Sequence, residues 1–414
     1  PELEACRALG PRAVERLSTA MNELLDGDGL VHARYLGQYR QLVACWSRMR
    51  LLCAAVDELP WSAEMTEQAD RAVVHLLRLT RADGSQALGP TGRDHAPEPK
   101  WFTAIARSTG NRSIVRLARA VAGAKVDLPS EKRVGAAAND SEWAELAILR
   151  SDWTRQAARL TVAYVDRCAR SELAIGKHLL FCGESTISLR QNDRSCTMES
   201  DWEQVCWETN DDCDYLELEA EFSGGIKVQR QMMLARHDQI AYLADAIVCA
   251  EPGDLSYETS FPLSPKLEFQ PAIESNEAQL GDHKPRALVL PIALPEWRSA
   301  TRNGSLVADE HVLRFHHSAA QVRGLYAPMF IDLKPKRFAQ QFTWRRLTVA
   351  EDRSVVPADV AAGFRVHIGN RQWLVYRSLH PGGSRTVLGH HLYSEFVLGQ
   401  FTSDGTIDPL IEIE

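Results

Sequence analysis

The chain has 414 residues, of which 45% are apolar and 25% charged, as in an ordinary globular protein with room for two or three domains. Its net charge of −8 gives no electrostatic reason to expect nucleic acid or an anionic membrane as a partner. It contains no run of about 18 apolar residues, so no membrane span is predicted. The chain begins at Pro1 without a basic and apolar leader, which predicts a processed form or a fragment.

The first third of the chain is predicted to be helical. Apolar residues recur with helical spacing over 13–25, 30–56 and 63–79, and again over 101–106 and 113–122. The turn sequence Asp26-Gly27-Asp28-Gly29 ends the first of these segments, and Ala82-Asp83-Gly84-Ser85 ends the third. Segment 87–99 is rich in proline and is predicted to be a loop.

Beyond residue 142 the apolar pattern changes to the alternation of β-strands. Strands are predicted at 144–150, 159–164, 215–222, 228–234, 364–368 and 371–376. Because no helical pattern separates them, they favour an antiparallel β-sandwich over a parallel α/β fold. We therefore predict an α+β multidomain chain, with a helical domain at 1–125, a linker of small and polar residues at 126–142 and a β-domain at 143–414.

The nine cysteines and the paired histidines give no indication of a metal centre. The cysteines are odd in number, irregularly spaced and without a C-x-x-C pair, so we interpret most of them as small buried side chains. One or two disulfides are expected only if the protein is exported. His316-His317 and His390-His391 are adjacent in predicted strands, whose neighbours point to opposite faces, so each pair gives a site one ligand at most. No metal and no cofactor are predicted.

Several segments resemble a known family in their order along the chain. The end of the helix at 63–79 and the Asp83-Gly84-Ser85 turn are similar to a helix end and turn in its helical domain. Segment 146–153 is similar to the strand that opens its β-domain, and the similarity continues at 173–180, 229–238 and 242–245. Over most of its length the chain thus resembles the heparinase II/III-like polysaccharide lyases.

The resemblance implies an α/α toroid followed by a β-sandwich, with the toroid incomplete here because only about five helices are predicted. It implies an acidic polysaccharide as partner, a periplasmic or secreted location, and β-elimination across a uronic-acid-containing glycan. Such a lyase neutralises the uronate carboxylate, removes the C5 proton and protonates the leaving oxygen. Family enzymes resemble one another in using Asn or His for the first task, and Tyr and His for the others.

The chain departs from the family pattern at two expected catalytic positions. Segment 166–175 aligns with the family's histidine motif but contains arginines and no histidine. Arginine stays protonated and is no ordinary general base. Segment 86–100, where a tyrosine is expected, contains none. The alternative is therefore a non-catalytic relative that binds acidic polysaccharide. A glycoside hydrolase is a third alternative, which would need two carboxylates facing each other across a cleft.

Other residues are candidates for the missing roles. His32, Tyr35 and Tyr39 fall at i, i+3 and i+7, so one helix would place them on one face, with Arg40 beside them as a carboxylate clamp. His178 is the histidine nearest to the missing motif. Tyr35, Tyr39 and His178 are thus the predicted catalytic residues, and His32 and Arg40 are predicted substrate contacts. The alternative for the helix is a packing role for its tyrosine rings.

Further substrate contacts are predicted in the β-domain. Arg150 and Trp153 could form a sugar platform with a charged rim, although a structural ion pair with Asp152 and a core indole is the alternative. Arg167 and Arg170 stand in the degenerate histidine motif and are predicted to bind the glycan.

A basic cluster with interleaved indoles lies near the C-terminal end of the chain. It comprises Lys334, Lys336, Arg337, Trp344, Arg345, Arg346, Arg371, Trp373 and Arg377. Such a mixture suits sulfated or uronic sugars through bidentate contacts and ring stacking. The alternative is a sheet edge at which long cationic side chains cover apolar surface.

Overall fold

The computed structural model describes residues 4–55, 61–298 and 303–414. The chain divides into two compact units. Unit 1 comprises Pro1–Ala157 and Thr161–Val165, and unit 2 comprises Ala158–Leu160 and Asp166–Glu414. In the described part of the chain, no helix is long and apolar enough to cross a membrane.

Unit 1 contains most of its residues in helices. They are α1 (Glu4–Leu24), α2 (Tyr39–Ala55), α3 (Ala63–Arg78), α4 (Pro99–Ser108), α5 (Arg112–Val121) and α6 (Glu131–Val134), with 3-10 helices at Ala33–Gln38 and Arg93–His95. Side-chain caps fix where two of them begin, since Ser62 accepts a hydrogen bond from Met65 N, and Asn111 accepts one from Ser113 N. The apolar faces of these helices form one core.

The segment predicted as a single helix at 30–56 is in fact two. The 3-10 helix covers Ala33–Gln38 and α2 begins at Tyr39. His32 precedes the 3-10 helix as its N-cap, and its Nδ1 accepts a hydrogen bond from Arg34 N. The prediction that His32, Tyr35 and Tyr39 share a face of one α-helix is therefore wrong, because a 3-10 helix turns once every three residues.

The segment predicted as a linker is packed against the rest of unit 1. It contains α6 and the buried side chains of Val134 and Ala137. Its small residues leave carbonyls accessible, so that Trp153 Nε1 donates to Gly135 O at 3.1 Å. Strand β1 (Asn139–Ser141) follows and pairs antiparallel with β2 (Leu146–Arg150). The domain boundaries at 125 and 142 stay a prediction, while the compact units divide at 157–166.

Antiparallel strands build unit 2, and strand β3 (Ala158–Val165) contains the division between the units. The main sheet has fifteen strands and includes β1, β2 and β3. Its other strands are β4 (Cys168–Ile175), β5 (His178–Gln191), β6 (Arg194–Cys196), β7 (Glu203–Thr209), β8 (Cys213–Phe222), β9 (Ile226–Ala235), β10 (Ile240–Pro262), β11 (Glu268–Pro271), β12 (Ala278–Gly281), β13 (Pro285–Leu290), β14 (Gly304–Asp309) and β15 (Val312–Asp332). A second sheet comprises β16 (Phe342–Leu347), β19 (Ala361–Ile368), β20 (Arg371–Ser378), β23 (Phe396–Phe401) and β24 (Ile407–Ile413). A small third sheet comprises β17 (Val349–Glu351), β18 (Ser354–Val355), β21 (Arg385–Val387) and β22 (His390–Leu392).

Strand β10 organises the main sheet. Its first half pairs with β9, where Asp245 lies opposite Arg230, and its second half pairs with β5, where Leu255 lies opposite Gln191. Strand β15 pairs with both halves of β10, with register shifts between Val248 and Leu255. Such irregularities bend a strand, so one long strand serves two neighbours.

The second sheet packs its apolar face on the main sheet. Tyr242 and Phe330 of the main sheet share a core with Phe364, Trp373 and Phe396 of the second. This arrangement bears out the predicted α+β composition with a large antiparallel β-part. The interpretation of the helices of unit 1 as part of a toroid stays a prediction.

The cysteines are less buried than predicted. The eight whose side chains are described are all free thiols. Three of them, Cys53, Cys213 and Cys249, are buried, while Cys45 is exposed and the others are half-buried.

Candidate functional site

The predicted catalytic tyrosines differ in their surroundings. Tyr35 is exposed, and its ring lies 6.4 Å from that of His32. Tyr39 is buried, and its hydroxyl lies 2.8 Å from the carbonyl oxygen of Ala72 and 3.2 Å from that of Gly29. Burial raises the pKa of Tyr39 well above its usual range. Its hydroxyl therefore remains protonated and bound to the backbone.

The side chains of Arg40 and His32 also form polar contacts within unit 1. Arg40 donates to the carbonyl oxygens of Gly84 at 2.7 Å and His95 at 3.1 Å. Burial lowers the pKa of Arg40 to about 10. His32 Nε2 lies 3.5 Å from a carboxylate oxygen of Glu145. These contacts hold the turns of unit 1 in place, and the predicted roles of both residues at a substrate stay a prediction.

Arg150 and Trp153 are interior residues. The indole of Trp153 is buried, and the guanidinium carbon of Arg150 lies 5.0 Å from its ring centroid. Arg150 also donates to the carbonyl oxygen of Asp152 at 2.8 Å, rather than to its carboxylate. The pair is therefore a cation–π contact inside unit 1. Without an exposed indole face, it offers no platform for a sugar ring.

The two arginines of the degenerate histidine motif lie at the surface of unit 2. Arg167 donates to the carbonyl oxygens of Met198 at 3.1 Å and Glu199 at 2.8 Å. Arg170 lies opposite Glu184 in the ladder between β4 and β5. Both remain predicted glycan contacts, although Arg167 is partly committed to the backbone.

His178 belongs to a line of three charged or titratable side chains. Its Nδ1 lies 3.0 Å from Asp282 Oδ2, and Arg286 Nε donates to Asp282 Oδ1 at 2.6 Å. Burial lowers the pKa of His178, and Arg286 lowers it further, while Asp282 opposes both effects. At neutral pH the imidazole is therefore neutral and oriented by a carboxylate, which is the arrangement of a general base.

A cleft of unit 2 lies beside strand β16, and we call it the Trp297 cleft. Its volume is about 730 Å³. It is lined by Ala293, Leu294, Pro295, Glu296, Trp297, Asn303, His317, Thr343, Trp344, Arg345 and Arg346. Clefts that bind small ligands commonly have volumes of about 300–1,000 Å³.

Local structure fixes the aromatic wall of this cleft. Trp297 is 62% exposed and lies in a loop at the end of the described segment 61–298. The loop is attached to its neighbours because Ser275 forms a bridge with Trp297, and Asn276 N donates to Glu296 O at 2.9 Å. Trp344 lies behind it, buried, and its Nε1 donates to Leu294 O at 2.8 Å. An exposed indole on a fixed backbone offers a flat apolar face to a ligand.

The polar side of the cleft is cationic and contains a neutral histidine. Burial lowers the pKa of His317 to about 4, and the neighbouring His316 and Arg346 lower it as well. His317 Nδ1 is buried without a hydrogen-bond partner among the described residues. Burial also lowers the pKa of Arg346, which stays a cation at neutral pH. The one carboxylate that lines the cleft, Glu296, accepts hydrogen bonds from Thr343 and from Trp344 N.

The predicted basic cluster separates into interior and cleft residues. Three of its cations are paired with carboxylates. Arg337 with Asp332 and Arg377 with Glu217 are buried pairs, while Arg371, which pairs with Asp238, is 43% exposed. Trp373 is buried and donates to Asp238 at 3.0 Å. Of the cluster, only Trp344, Arg345 and Arg346 line the Trp297 cleft. The cluster therefore does not form one continuous surface, because folding pairs three of its seven cations with carboxylates and buries Trp373.

Sequence reasoning did not find Trp297, Asn303 or Glu296. Trp297 follows Pro295 and Glu296 in a loop, and nothing in the local sequence distinguishes it from other loop tryptophans. His317 was assessed from the sequence only as a metal ligand. The described residues contain no group of three or more histidine, cysteine or acidic side chains placed to hold a metal ion.

Comparison with known proteins relates this chain to the heparinases by fold. No model of a protein family matches the chain, and no curated protein matches it. Heparan sulfate lyase HepC from Pedobacter heparinus superimposes with a TM-score of 0.63 at 12% identity, covering 92% of this chain and 64% of HepC. Two structures of heparinase III give TM-scores of 0.62 and 0.61 at 10% and 11% identity, each covering 91% of this chain.

The chain spans less than two thirds of the length of these lyases, which it covers to 64%, 63% and 64%. At such low identity the likeness concerns the fold and leaves the chemistry of the side chains open. The predicted resemblance is thus confirmed at the level of the fold: the chain folds like the heparinase III lyases.

Proposed function

We propose that this chain binds an acidic polysaccharide in the Trp297 cleft. The observation that carries the proposal is the combination of an exposed indole with cationic guanidinium groups in one cleft. An indole face packs on the apolar face of a sugar ring, and guanidinium groups bind carboxylates or sulfates with two parallel hydrogen bonds. The shared fold with lyases whose names specify heparan sulfate or heparin supports the same ligand class. A periplasmic or secreted location belongs to the same proposal.

The charge of the cleft favours an anionic ligand over a neutral one. Its single carboxylate, on Glu296, already accepts two hydrogen bonds from unit 2. Arg345 and Arg346 line the cleft, and no described carboxylate lies within 4 Å of either guanidinium. Both guanidinium groups are exposed, so salt screens them, but two adjacent cations on one wall of the cleft still attract an anion more than a neutral ligand.

Lyase activity is a second candidate function, which the His178–Asp282 pair favours. A neutral imidazole held by a carboxylate can accept a proton such as that on C5 of a uronate. In this alternative an arginine neutralises the uronate carboxylate and acidifies that proton. The bond from C4 to the glycosidic oxygen then breaks, and the leaving oxygen takes up a proton from the imidazolium. Binding in the Trp297 cleft does not require this chemistry, so the two functions are tested separately.

Calorimetric titration with heparan sulfate, hyaluronan and a neutral glucan tests binding. We expect the unsubstituted chain to bind the two acidic glycans and not the glucan. Trp297→Ala should weaken binding about three- to tenfold, in line with about 0.5–1.5 kcal/mol for an aromatic contact. Arg346→Gln should weaken it by about tenfold or more, because charge-assisted hydrogen bonds contribute about 1.5–3 kcal/mol.

Two variants serve as matched controls. Trp143→Ala removes another exposed indole, and Arg194→Gln removes another exposed arginine, both outside the cleft. Neither control should change the affinity. Equal losses in the cleft variants and the controls, or binding of the neutral glucan as tight as that of heparan sulfate, would overturn the proposal.

A further inference from the structure

A basic groove lies on unit 1 along helix α5, and we call it the α5 groove. Its volume is about 420 Å³. It is lined by Arg112, Val115, Arg116, Arg119, Lys125, Val126 and Asp127. Four of these seven residues are cations and one is an anion, which gives a local charge of +3 in a chain of net charge −8.

The amphipathic pattern of α5 produces this surface. Ile114, Leu117 and Val121 face the core of unit 1. Arg112, Arg116 and Arg119 fall at i, i+4 and i+7, so they share the exposed face.

The end of α5 adds the fourth cation. Gly123 adopts a left-handed conformation with φ of 95°, which a glycine accepts without steric cost. Gly123 N donates to Ala120 O at 3.0 Å, and Ala124 N donates to Arg119 O at 2.9 Å. This helix-ending turn leads the chain back along the helix, and Lys125 lies against the groove.

The cations of the groove are hardly neutralised within unit 1. Arg116 pairs with Asp127 at 2.7 Å, but the two side chains are 47% and 93% exposed, so the pair contributes little. Arg112, Arg119 and Lys125 form no ion pair with any described residue. Like charges one turn apart repel each other, so an external polyanion would stabilise this surface.

We infer that the α5 groove is a second binding site for acidic polysaccharide, which contacts sulfate or carboxylate groups along the chain of the ligand. The inference takes its ligand class from the proposed function and its position from the charges of the groove. The lining favours a polysaccharide over single-stranded nucleic acid, because it contains no aromatic side chain on which bases could stack.

The test compares two double variants that remove the same charge. Arg112→Gln/Arg119→Gln removes the two unpaired arginines of the groove, and Arg12→Gln/Arg16→Gln removes two exposed arginines of α1. The affinity of the full chain for heparan sulfate is measured at several salt concentrations. We expect the groove variant to bind about three- to thirtyfold more weakly. The slope of log affinity against log salt should fall by about two, since each lost cation releases about one counterion fewer.

Several outcomes would overturn the inference. One is a salt slope that stays unchanged in the groove variant, and another is an equal loss in the α1 variant, which would indicate only the effect of net charge. Tighter binding of single-stranded DNA than of heparan sulfate, lost in the groove variant, would assign the groove to nucleic acid. Circular dichroism verifies that both variants are folded.

The same titration with Trp297→Ala separates the two sites. If the proposed function fails, this variant binds like the unsubstituted chain while the groove variant still loses affinity. If the inference fails, the groove variant binds like the unsubstituted chain while Trp297→Ala still loses affinity.

Discussion

Arg230 on β9 and Asp245 on β10 form a bidentate ion pair inside the main sheet, with both nitrogen–oxygen distances at 2.8 Å. Their side chains are 3% and 4% exposed. Arg230 also donates to Ser185 and Thr259, and Tyr257 donates to Asp245. Burial lowers the pKa of Arg230, but Asp245 more than offsets this effect, so the net change is upward. Arg230 thus stays a cation inside the protein, held by hydrogen bonds to Asp245, Ser185 and Thr259.

Removing one member of this pair should strongly destabilise unit 2. Arg230→Met leaves the carboxylate of Asp245 buried and unpaired, which we expect to lower the free energy of unfolding by about 3–5 kcal/mol. The double variant Arg230→Met/Asp245→Leu should recover most of this loss, since no buried charge remains. Urea denaturation of the three chains measures both effects. A loss below about 1 kcal/mol in the single variant would show that the carboxylate finds another partner or water.

The half-buried His317 should make stability depend on pH. Burial, together with His316 and Arg346, lowers its pKa to about 4 from 6.5. The folded state therefore binds fewer protons than the unfolded state between these values. The contribution of His317 is complete above pH of about 6.5 and is lost as pH falls through about 4, by on the order of 2 kcal/mol.

The variant His317→Asn isolates this contribution. Relative to the unsubstituted chain, its free energy of unfolding should fall less between pH of about 6.5 and 4, as measured by urea denaturation at several pH values. His237→Asn, at an exposed position, is the control and should follow the unsubstituted chain. Parallel curves for His317→Asn and the control would contradict the burial of a neutral imidazole at this position.

The His178–Asp282 pair gives a direct test of lyase chemistry. If the chain eliminates across uronate glycans, His178→Gln should lower the rate by about a hundredfold or more, because the base is lost. Asp282→Asn should lower it less, since it only misorients the ring. The readout is ultraviolet absorbance of the unsaturated product, with His237→Asn as the control. A flat trace from the unsubstituted chain on every glycan that it binds would sink the lyase alternative and leave binding alone.

The variant Tyr39→Phe distinguishes a structural role of this tyrosine from a catalytic one. Tyr39→Phe removes the hydroxyl that is bonded to Ala72 O and Gly29 O, so unfolding should become easier by about 1 kcal/mol. Any glycan turnover should persist, because burial raises the pKa of this phenol and holds its proton. Loss of turnover with unchanged thermal stability would instead support the predicted catalytic role.

The strands and most helices of this protein follow from local sequence. Predicted strands at 215–222 and 228–234 lie within β8 and β9, and the predicted helix at 63–79 corresponds to α3. Alternation and helical spacing determine them because each element buries one of its faces. The spacing did not predict the change from a 3-10 helix to α2 at Tyr39, because the two kinds of helix have nearly the same residue spacing over a few residues.

The functional surfaces depend on tertiary structure to different degrees. The basic face of α5 is readable in the sequence, because one helix carries Arg112, Arg116 and Arg119 at helical spacing. The Trp297 cleft is not, since its walls come from the loop after β13, from β15 and from β16. Trp373 was predicted to contact sugars, yet folding buries it against Asp238, whereas Trp297, which the sequence did not single out, is exposed. Local pattern fixes which face of an element is buried, whereas only the packing of distant strands decides which polar side chains remain free to meet a ligand.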